Sequence, residues 1–409
     1  MRHLIPRPWV LQQPVLRAVL GLTLLAGLIT GLVVPFIALV ARERGASYGT
    51  VGFMASAFMV AQLVLFFPAG ALADRFGRVR PVVAGLVIEG LATAAFVWAE
   101  DPLMFVALRF LQGVGLSFIY PAMRALIADL TPLERRGEAF AAFWGMFNVG
   151  WLLGPALGGL LASVLGKTPL LLLSGLGEVV LAVPVLLAFR RFGIAAASAG
   201  SPRAGTSFRA VVGAALLAAM LLAFAFEVPV GIFSGIWSIY LNELGASDFL
   251  LGISYTTFSV ANLVTLPIGA RLANRQPRWP RVALLATLLG CVIVGYGVPS
   301  VPVLLVLGAV EGAIAGMLTP SVDAYLSGIA GSEHQGRVQG AYTTAGIAGA
   351  ALSALGSSVL YEHGQWLPFA AAGAVLVALA LPAALLMRWS ERARVGEGRL
   401  EPVAPRVGE

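Results

Sequence analysis

The sequence predicts an all-α membrane protein of about twelve transmembrane helices, arranged as two pseudo-symmetric six-helix bundles. Three observations predict it. Of 409 residues, 59% are hydrophobic and only 11% charged, whereas a soluble domain carries about 25% charged residues to surround its core. The apolar residues form runs long enough to cross about 30 Å of hydrocarbon, which takes about 20 residues at a rise of 1.5 Å each. Landmarks of the first half also return in the second half at a nearly constant offset.

In chain order the runs fall at 16–41, 48–73, 80–99, 102–128, 136–164, 168–190, 210–241, 247–272, 281–299, 302–328, 337–361 and 366–388. Each is read as a helix, because lipid cannot satisfy open backbone groups and the runs do not alternate as barrel strands do. Arg2, Arg7 and Arg17 before a long apolar stretch suggest a signal peptide, but that stretch, from Ala18 to Val40, is too long for a cleavable segment and lacks a clear small-residue cleavage site. It is the first membrane helix. After the sixth run, 191–209 is small, polar and contains Gly and Pro, a linker composition. The expected organisation is an N-terminal bundle over 1–190, a linker over 191–209, a C-terminal bundle over 210–390 and a tail over 391–409.

Basic residues orient the chain. Of the 27 Lys and Arg residues, all but Arg42, Arg44, Lys167 and the intrahelical Arg109 fall on the ends and loops of one side. The positive-inside rule makes that side cytoplasmic, with both termini there, and places the protein in the plasma (inner) membrane. The net charge of +7 is spread in clusters between apolar runs and accompanies no nucleic-acid-binding motif, so no nucleic-acid partner is expected. The lone Cys291 permits no internal disulfide. His3, His334 and His363 lie in tails or loops without metal-ligand spacing, and neither a metal nor a cofactor is expected. The chain shows no phosphate-cradling loop, dinucleotide fingerprint or nucleophile elbow, which argues against ATP-driven transport and against soluble-type catalysis.

The repeat is legible residue by residue. At an offset of 200, Gly45-Ala46-Ser47 matches Gly245-Ala246-Ser247, Gly52 matches Gly252, and Ala61 and Leu63 match Ala261 and Leu263. At 199, Pro68, Gly70, Pro81, Gly113, Pro121 and Gly137 match Pro267, Gly269, Pro280, Gly312, Pro320 and Gly336. The matches keep their order and fall at corresponding loops. Repeated halves of this kind are a transporter architecture.

The turn between helices 2 and 3 reads Gly70-Ala-Leu72-Ala-Asp74-Arg75-Phe-Gly77-Arg78-Val-Arg80. Its glycines allow a tight turn, and Asp74 sits among arginines with which it can pair. A solvated positive-inside loop would explain the charges but not the whole pattern. The turn closely resembles the signature loop of the major facilitator superfamily. Two further segments agree: Arg109-x-x-Gln112-Gly113-x-Gly115 in helix 4 resembles the second motif of proton-coupled members, and Gly150-x-x-x-Gly154-Pro155-x-x-Gly158-Gly159 in helix 5 resembles the motif of its exporters or antiporters. Pro35 in helix 1 fits the drug-exporter branch. The second half departs from the pattern, since Gly269-Ala-Arg271-Leu-Ala-Asn274-Arg275 has no aspartate and helix 11 lacks the Gly-Pro pair. The resemblance implies the major facilitator fold and a single gating latch in the first half, in which Asp74 and Arg78 join Asp129 at the end of helix 4. The glycines of helix 5 have a plain reading too: one smooth face for a neighbouring helix, with Pro155 permitting a bend.

Ionisable groups inside membrane helices cost about 2.5–3.5 kcal/mol on insertion scales and are functional candidates by default. They are Glu89 in helix 3, Arg109 in helix 4, Glu178 in helix 6, Glu227 in helix 7, and Glu311 and Asp323 in helix 10. In the fold that the resemblance implies, helices 1, 4, 7 and 10 line the cavity, which ranks Arg109, Glu227 and Glu311 above Glu89 and Glu178. Gln112 occupies the repeat position of Glu311. A buried acid whose environment switches can take a proton in one state and release it in another. Either Glu227 or Glu311 is expected to carry the proton, with Arg109 tuning acidity or contacting substrate; static ion pairing is the competing account. Phe36, Trp144, Phe147, Asn148, Phe233, Trp237, Tyr240, Tyr255 and Tyr342 could bind amphipathic or cationic compounds, or serve as packing and interfacial residues.

The expectation is therefore a proton-coupled exporter of drugs or other small organic molecules, a monomer whose partners are substrate, protons and lipid. The nearest alternative is the same machine carrying a sugar or metabolite. A non-transporting receptor or membrane enzyme would need a sensory domain or a catalytic constellation that the sequence does not show.

Overall fold

The computed structural model describes residues 9–191 and 213–396. Most of the expected linker over 191–209, and the tail beyond 396, lie outside the described residues. Within them the chain is helical, with no strand. The helices are α1 (Trp9–Gln12), α2 (Pro14–Val33), α3 (Ile37–Glu43), α4 (Tyr48–Phe76), α5 (Val79–Ala95), α6 (Pro102–Leu130) and α7 (Arg136–Leu165). They continue with α8 (Lys167–Arg191), α9 (Ala214–Ile232), α10 (Ser238–Glu243), α11 (Asp248–Ala273), α12 (Trp279–Gly295), α13 (Val301–His363) and α14 (Leu367–Gly396). Among the described residues, eleven helical segments are long and apolar enough to cross a membrane, so the protein is a multi-pass integral membrane protein.

The helices depart from the sequence reading at four places. The first run is interrupted at Val34–Phe36, where Pro35 removes a donor and α2 gives way to α3. The seventh run changes to a π-helical turn at Phe233–Trp237, four residues after Pro229. The expected loop between runs ten and eleven is helical, so that α13 runs through Val301–His363. The residues between those runs include four polar side chains and two glycines but no proline, and loss of hydrophobicity alone does not open a helix. The ninth run shortens to the 17 residues of α12 and is the one segment below spanning length.

The chain divides into two compact units, Met1–Pro202 with Gly235–Thr256, and Arg203–Ser234 with Thr257–Glu409. In the first, α2 packs on α7 and α8, α4 on α6, and α5 on α6 and α8. Leu16, Leu20, Leu86, Leu126, Phe143 and Leu181 are among its buried core. In the second, α9 packs on α13 and α14, and α12 on α13 and α14, around Leu222, Val282, Leu318, Tyr325 and Leu376.

The repeat predicted from sequence is present in backbone geometry. Gly45 and Gly245 both take positive φ, 84° and 81°. Ala46 N–H donates to Ala41 O at 3.0 Å and Ala246 N–H to Leu241 O at 2.9 Å, closing the same helix C-terminus. Ser47 then caps α4 by accepting from Thr50 N–H at 3.0 Å, and Ser247 accepts from Leu250 N–H at 3.3 Å.

Candidate functional site

The turn between α4 and α5 is built by Gly77, whose φ of 84° ends α4 and returns the chain. It sets Arg78 one helical turn after Asp74, and the two form an ion pair. Arg78 Nε also reaches Asp129 Oδ2, near the end of α6, at 3.1 Å. Arg78 is 12% exposed in its side chain, against 59% for Asp74 and 35% for Asp129, so one half-sheltered guanidinium gathers two wetter carboxylates. Burial disfavours the Arg78 charge. Hydrogen bonds to both aspartates, reinforced by their charges, outweigh that and hold its pKa above the usual arginine range. Arg75 is not in this cluster; it lies over the Phe76 ring at 5.4 Å. Gly70 faces Pro121 at ordinary contact distance.

The helix 5 glycines lie against α2. A Cβ at Gly150 would stand 2.3 Å from Leu24 O, one at Gly154 2.7 Å from Gly31 Cα, and one at Gly158 2.1 Å from Leu32 O. These are backbone contacts that no side chain could occupy. Gly159 belongs to another face, where its Cβ would meet Asp248 O at the start of α11 at 2.5 Å. Pro155 is buried inside α7.

Inside the first unit, Arg109 on α6 donates to Gln112 Oε1 at 2.9 Å, and its guanidinium lies 4.4 Å from the Phe58 ring centre. Gln112 in turn donates to Thr93 Oγ1 on α5 at 2.8 Å. Glu89, one helical turn before Thr93, is buried and within electrostatic range of Arg109, Glu178 and Tyr120. Glu178 is also buried, interacts with Thr30, and leaves Oε2 without a hydrogen-bond partner. The two acids ranked lowest from sequence therefore surround the Arg109 network. No periodicity marks that grouping; what creates it is the close approach of α5 to α6 and α8 at Gly115 and Gly90. Next to Tyr120, an aromatic cluster runs along α7, with Trp144 stacked on Tyr120 at 5.9 Å and Phe147 stacked on Trp151 at 6.2 Å.

In the second unit, Glu227 on α9 packs its Cγ toward Gly346 of α13, and both Glu227 and Asp323 interact electrostatically with Tyr342. Asp323 is exposed and opens onto a cavity of about 400 Å³ lined also by Leu326, Ser327, Val338 and Gln339. Glu311 is 8% exposed and accepts a 2.5 Å hydrogen bond from Tyr296 Oη. Tyr296 ends α12, and sequence spacing carried no signal for this pairing. Tyr240 is buried in the first unit, where Trp237 donates to Ser254 Oγ at 3.0 Å and Tyr255 lies 3.3 Å from Ser238 Oγ. These three aromatics are held by packing and hydrogen bonding. Among the described residues no cluster of His, Cys, Asp and Glu could hold a metal.

The model of the Major Facilitator Superfamily matches residues 19–230 and 215–406, once in each half. Multidrug resistance protein 2 of Bacillus subtilis (strain 168) is 26% identical over 376 residues, covering 88% of this chain and 92% of that protein. Multidrug resistance protein 1 of the same strain is 33% identical over 139 residues, 34% of this chain and 36% of that protein. Among solved structures, a bacterial homologue of the human lysosomal transporter Spinster, inward-facing and occupied, matches with a TM-score of 0.72 at 14% identity, covering 95% of this chain and 98% of that one. At that identity the likeness is one of fold.

Proposed function

Because the chain belongs to the major facilitator superfamily, we propose that it is a proton-coupled exporter of drugs or other small organic molecules, working by alternating access. The observation that carries this reading is the similarity to a multidrug resistance protein over 92% of that protein's length. The intramembrane acids support it. Glu227 or Glu311 takes up the proton in one conformation and gives it up in the other, because an acid held away from water changes its proton affinity when its neighbours move. Arg109, fixed by Gln112 and the Phe58 ring, tunes acidity or meets substrate in its own unit. The Asp74–Arg78–Asp129 cluster is the latch that opens when the side it closes becomes accessible. The distribution of basic residues puts that side, and both termini, in the cytoplasm.

Everted membrane vesicles that contain the protein test this directly. With an imposed acid-inside gradient they should accumulate ethidium or another toxic organic compound, and collapsing the gradient should release it. Vesicles that accumulate none of a broad panel of such compounds, yet take up a sugar or metabolite, would overturn the drug-export reading.

A further inference from the structure

We propose that Tyr296 is the positioning residue for Glu311: its hydroxyl holds the carboxylate in one place, and through Phe233 it ties that hold to the break in α9. The proposal rests on the reading of Glu311 as a proton carrier. Tyr296 is 1% exposed and Glu311 8% exposed, so neither group has water to replace a lost partner. Tyr296 Oη donates to Glu311 Oε2 at 2.5 Å, and a hydroxyl that donates to an ionised carboxylate makes a charge-assisted bond.

The ring of Tyr296 is itself held. Phe233 stands edge-on to it, with centroids 5.5 Å apart and planes at 87°, and Phe369 of α14 packs at 5.9 Å. Phe233 opens the π-helical turn Phe233–Trp237, and the helix that leads into that turn carries Glu227 and Pro229. A change in this turn therefore moves a ring packed edge-on against the ring whose hydroxyl steers Glu311. At the next residue, Gly312 lies against Phe258 O, so α11 presents backbone there rather than a competing charge. Among the described residues Tyr296 is the titratable group that acts on Glu311.

With Glu311 ionised, the phenol donates to the carboxylate oxygen. When a proton arrives the carboxyl becomes neutral and the phenol bond loses its charge assistance. The hydroxyl thus favours the ionised form and promotes release. Removing it leaves the proton more tightly held.

The test is infrared difference spectroscopy of the purified protein, titrated with acid, in which the Glu311 band is the protonated-carboxyl signal lost in Glu311→Gln. Tyr296→Phe keeps the ring and its packing. It should make that band persist about one to two pH units higher and move its frequency. A band present in the wild type but unchanged in both respects by Tyr296→Phe overturns the positioning role and leaves Glu311 as a titrating site. A wild type with no band attributable to Glu311 overturns the proton-carrier reading and this proposal with it. If Tyr296→Phe unfolds, Phe233→Leu keeps the hydroxyl but removes the edge contact; it should shift the band the same way by less, and no shift there overturns the link to α9.

Discussion

Corresponding helix pairs in the two units meet in the same register but with their bulk exchanged. In the first, α2 and α7 approach through Gly27, Gly31, Gly150, Gly154 and Gly158, and a Cβ at Gly27 would lie 2.5 Å from Phe147 O. In the second, at an offset of 200, Gly31 returns as Gly231 of α9 and Gly27 returns as Glu227. Across the contact, at 199, Gly150 returns as Gly349, Gly154 as Ser353, Gly158 as Ser357, and Phe147 as Gly346. Glycine facing phenylalanine in one unit becomes glutamate facing glycine in the other, and the Glu227 Cγ fills the space above Gly346. One contact is a tight backbone joint. The other makes room for an intramembrane acid. The lesson is that a repeat can keep its packing while turning one position into chemistry, provided the partner gives up volume.

The largest expected effect breaks the tight joint. Gly158→Val places carbon where Leu32 O already stands, 2.1 Å from the new Cβ, and backbone cannot step aside. Overpacking of this kind costs about 1–3 kcal/mol and occasionally more. The variant should lose most of its monodisperse, folded protein in detergent, with a clearly lowered unfolding temperature. Gly346→Ala is the counterpart. Its Cβ would crowd the Glu227 side chain, with Cγ at 2.9 Å, and meet the Ala223 backbone O at an ordinary 3.6 Å, so its unfolding temperature should stay near that of the wild type while proton-driven flux falls as Glu227 is displaced. Equal destabilisation by both would end the distinction between the two contacts.

The next effect is on activity alone. Glu227→Gln and Glu311→Gln keep volume and remove the titrating group. At least one should reduce gradient-driven uptake into everted vesicles to background at normal expression. Glu178→Gln, in the first unit, offers the contrast, because the amide keeps the side chain's volume and leaves Glu89, the acid that acts on Arg109, in place. It should leave flux within a few-fold of wild type. Loss of flux in Glu178→Gln, with both other variants active, would move proton coupling into the first unit.

Much of the scaffold is legible in the order of residues alone. The apolar runs, the offset and the turn glycines Gly45 and Gly245 follow from local rules: length against bilayer thickness, and a left-handed position that glycine occupies easily. The Asp74–Arg78–Asp129 grouping is legible as a motif, and the structure brings those three side chains together. The Arg109–Gln112–Thr93 chain, the acids around it and the Tyr296–Glu311 bond are not. They depend on which helix faces which, and a helix apolar on all sides carries no stripe to reveal its inward face. The exchange of Gly27 for Glu227 is also within reach of the offset, but its meaning depends on Gly346 across the contact.

A smaller effect concerns the turn between α4 and α5. Asp74→Asn makes the first unit resemble the second, whose equivalent turn Gly269–Arg275 has no aspartate. Asp74 is 59% exposed, so its bond to Arg78 is worth about 1 kcal/mol at most. A term of that size changes a conformer ratio about five-fold. Transport should fall by about that factor with expression intact, while Asp129→Asn, which removes the other arm, does the same. Normal flux in both variants would remove the gating role.

The smallest effect lies at a different set of helix ends. Lys167 contacts Glu43 at 2.7 Å and Asp248 at 3.4 Å, joining the end of α3 to the starts of α8 and α11. The arrangement resembles the Arg78 cluster, one cation between two carboxylates, but the physics is weaker. An ammonium is a compact, strongly hydrated point charge, whereas a guanidinium presents a planar fork to each partner. Glu43 is also 52% exposed, so water competes for it. Lys167→Met should therefore lower stability by about 0.2–1 kcal/mol, and the difference should shrink as salt screens the pair. Unfolding temperatures at low and high ionic strength measure both. A large loss that is insensitive to salt would mean that this end is held as firmly as the turn around Arg78, and the contrast between the two ends would fail.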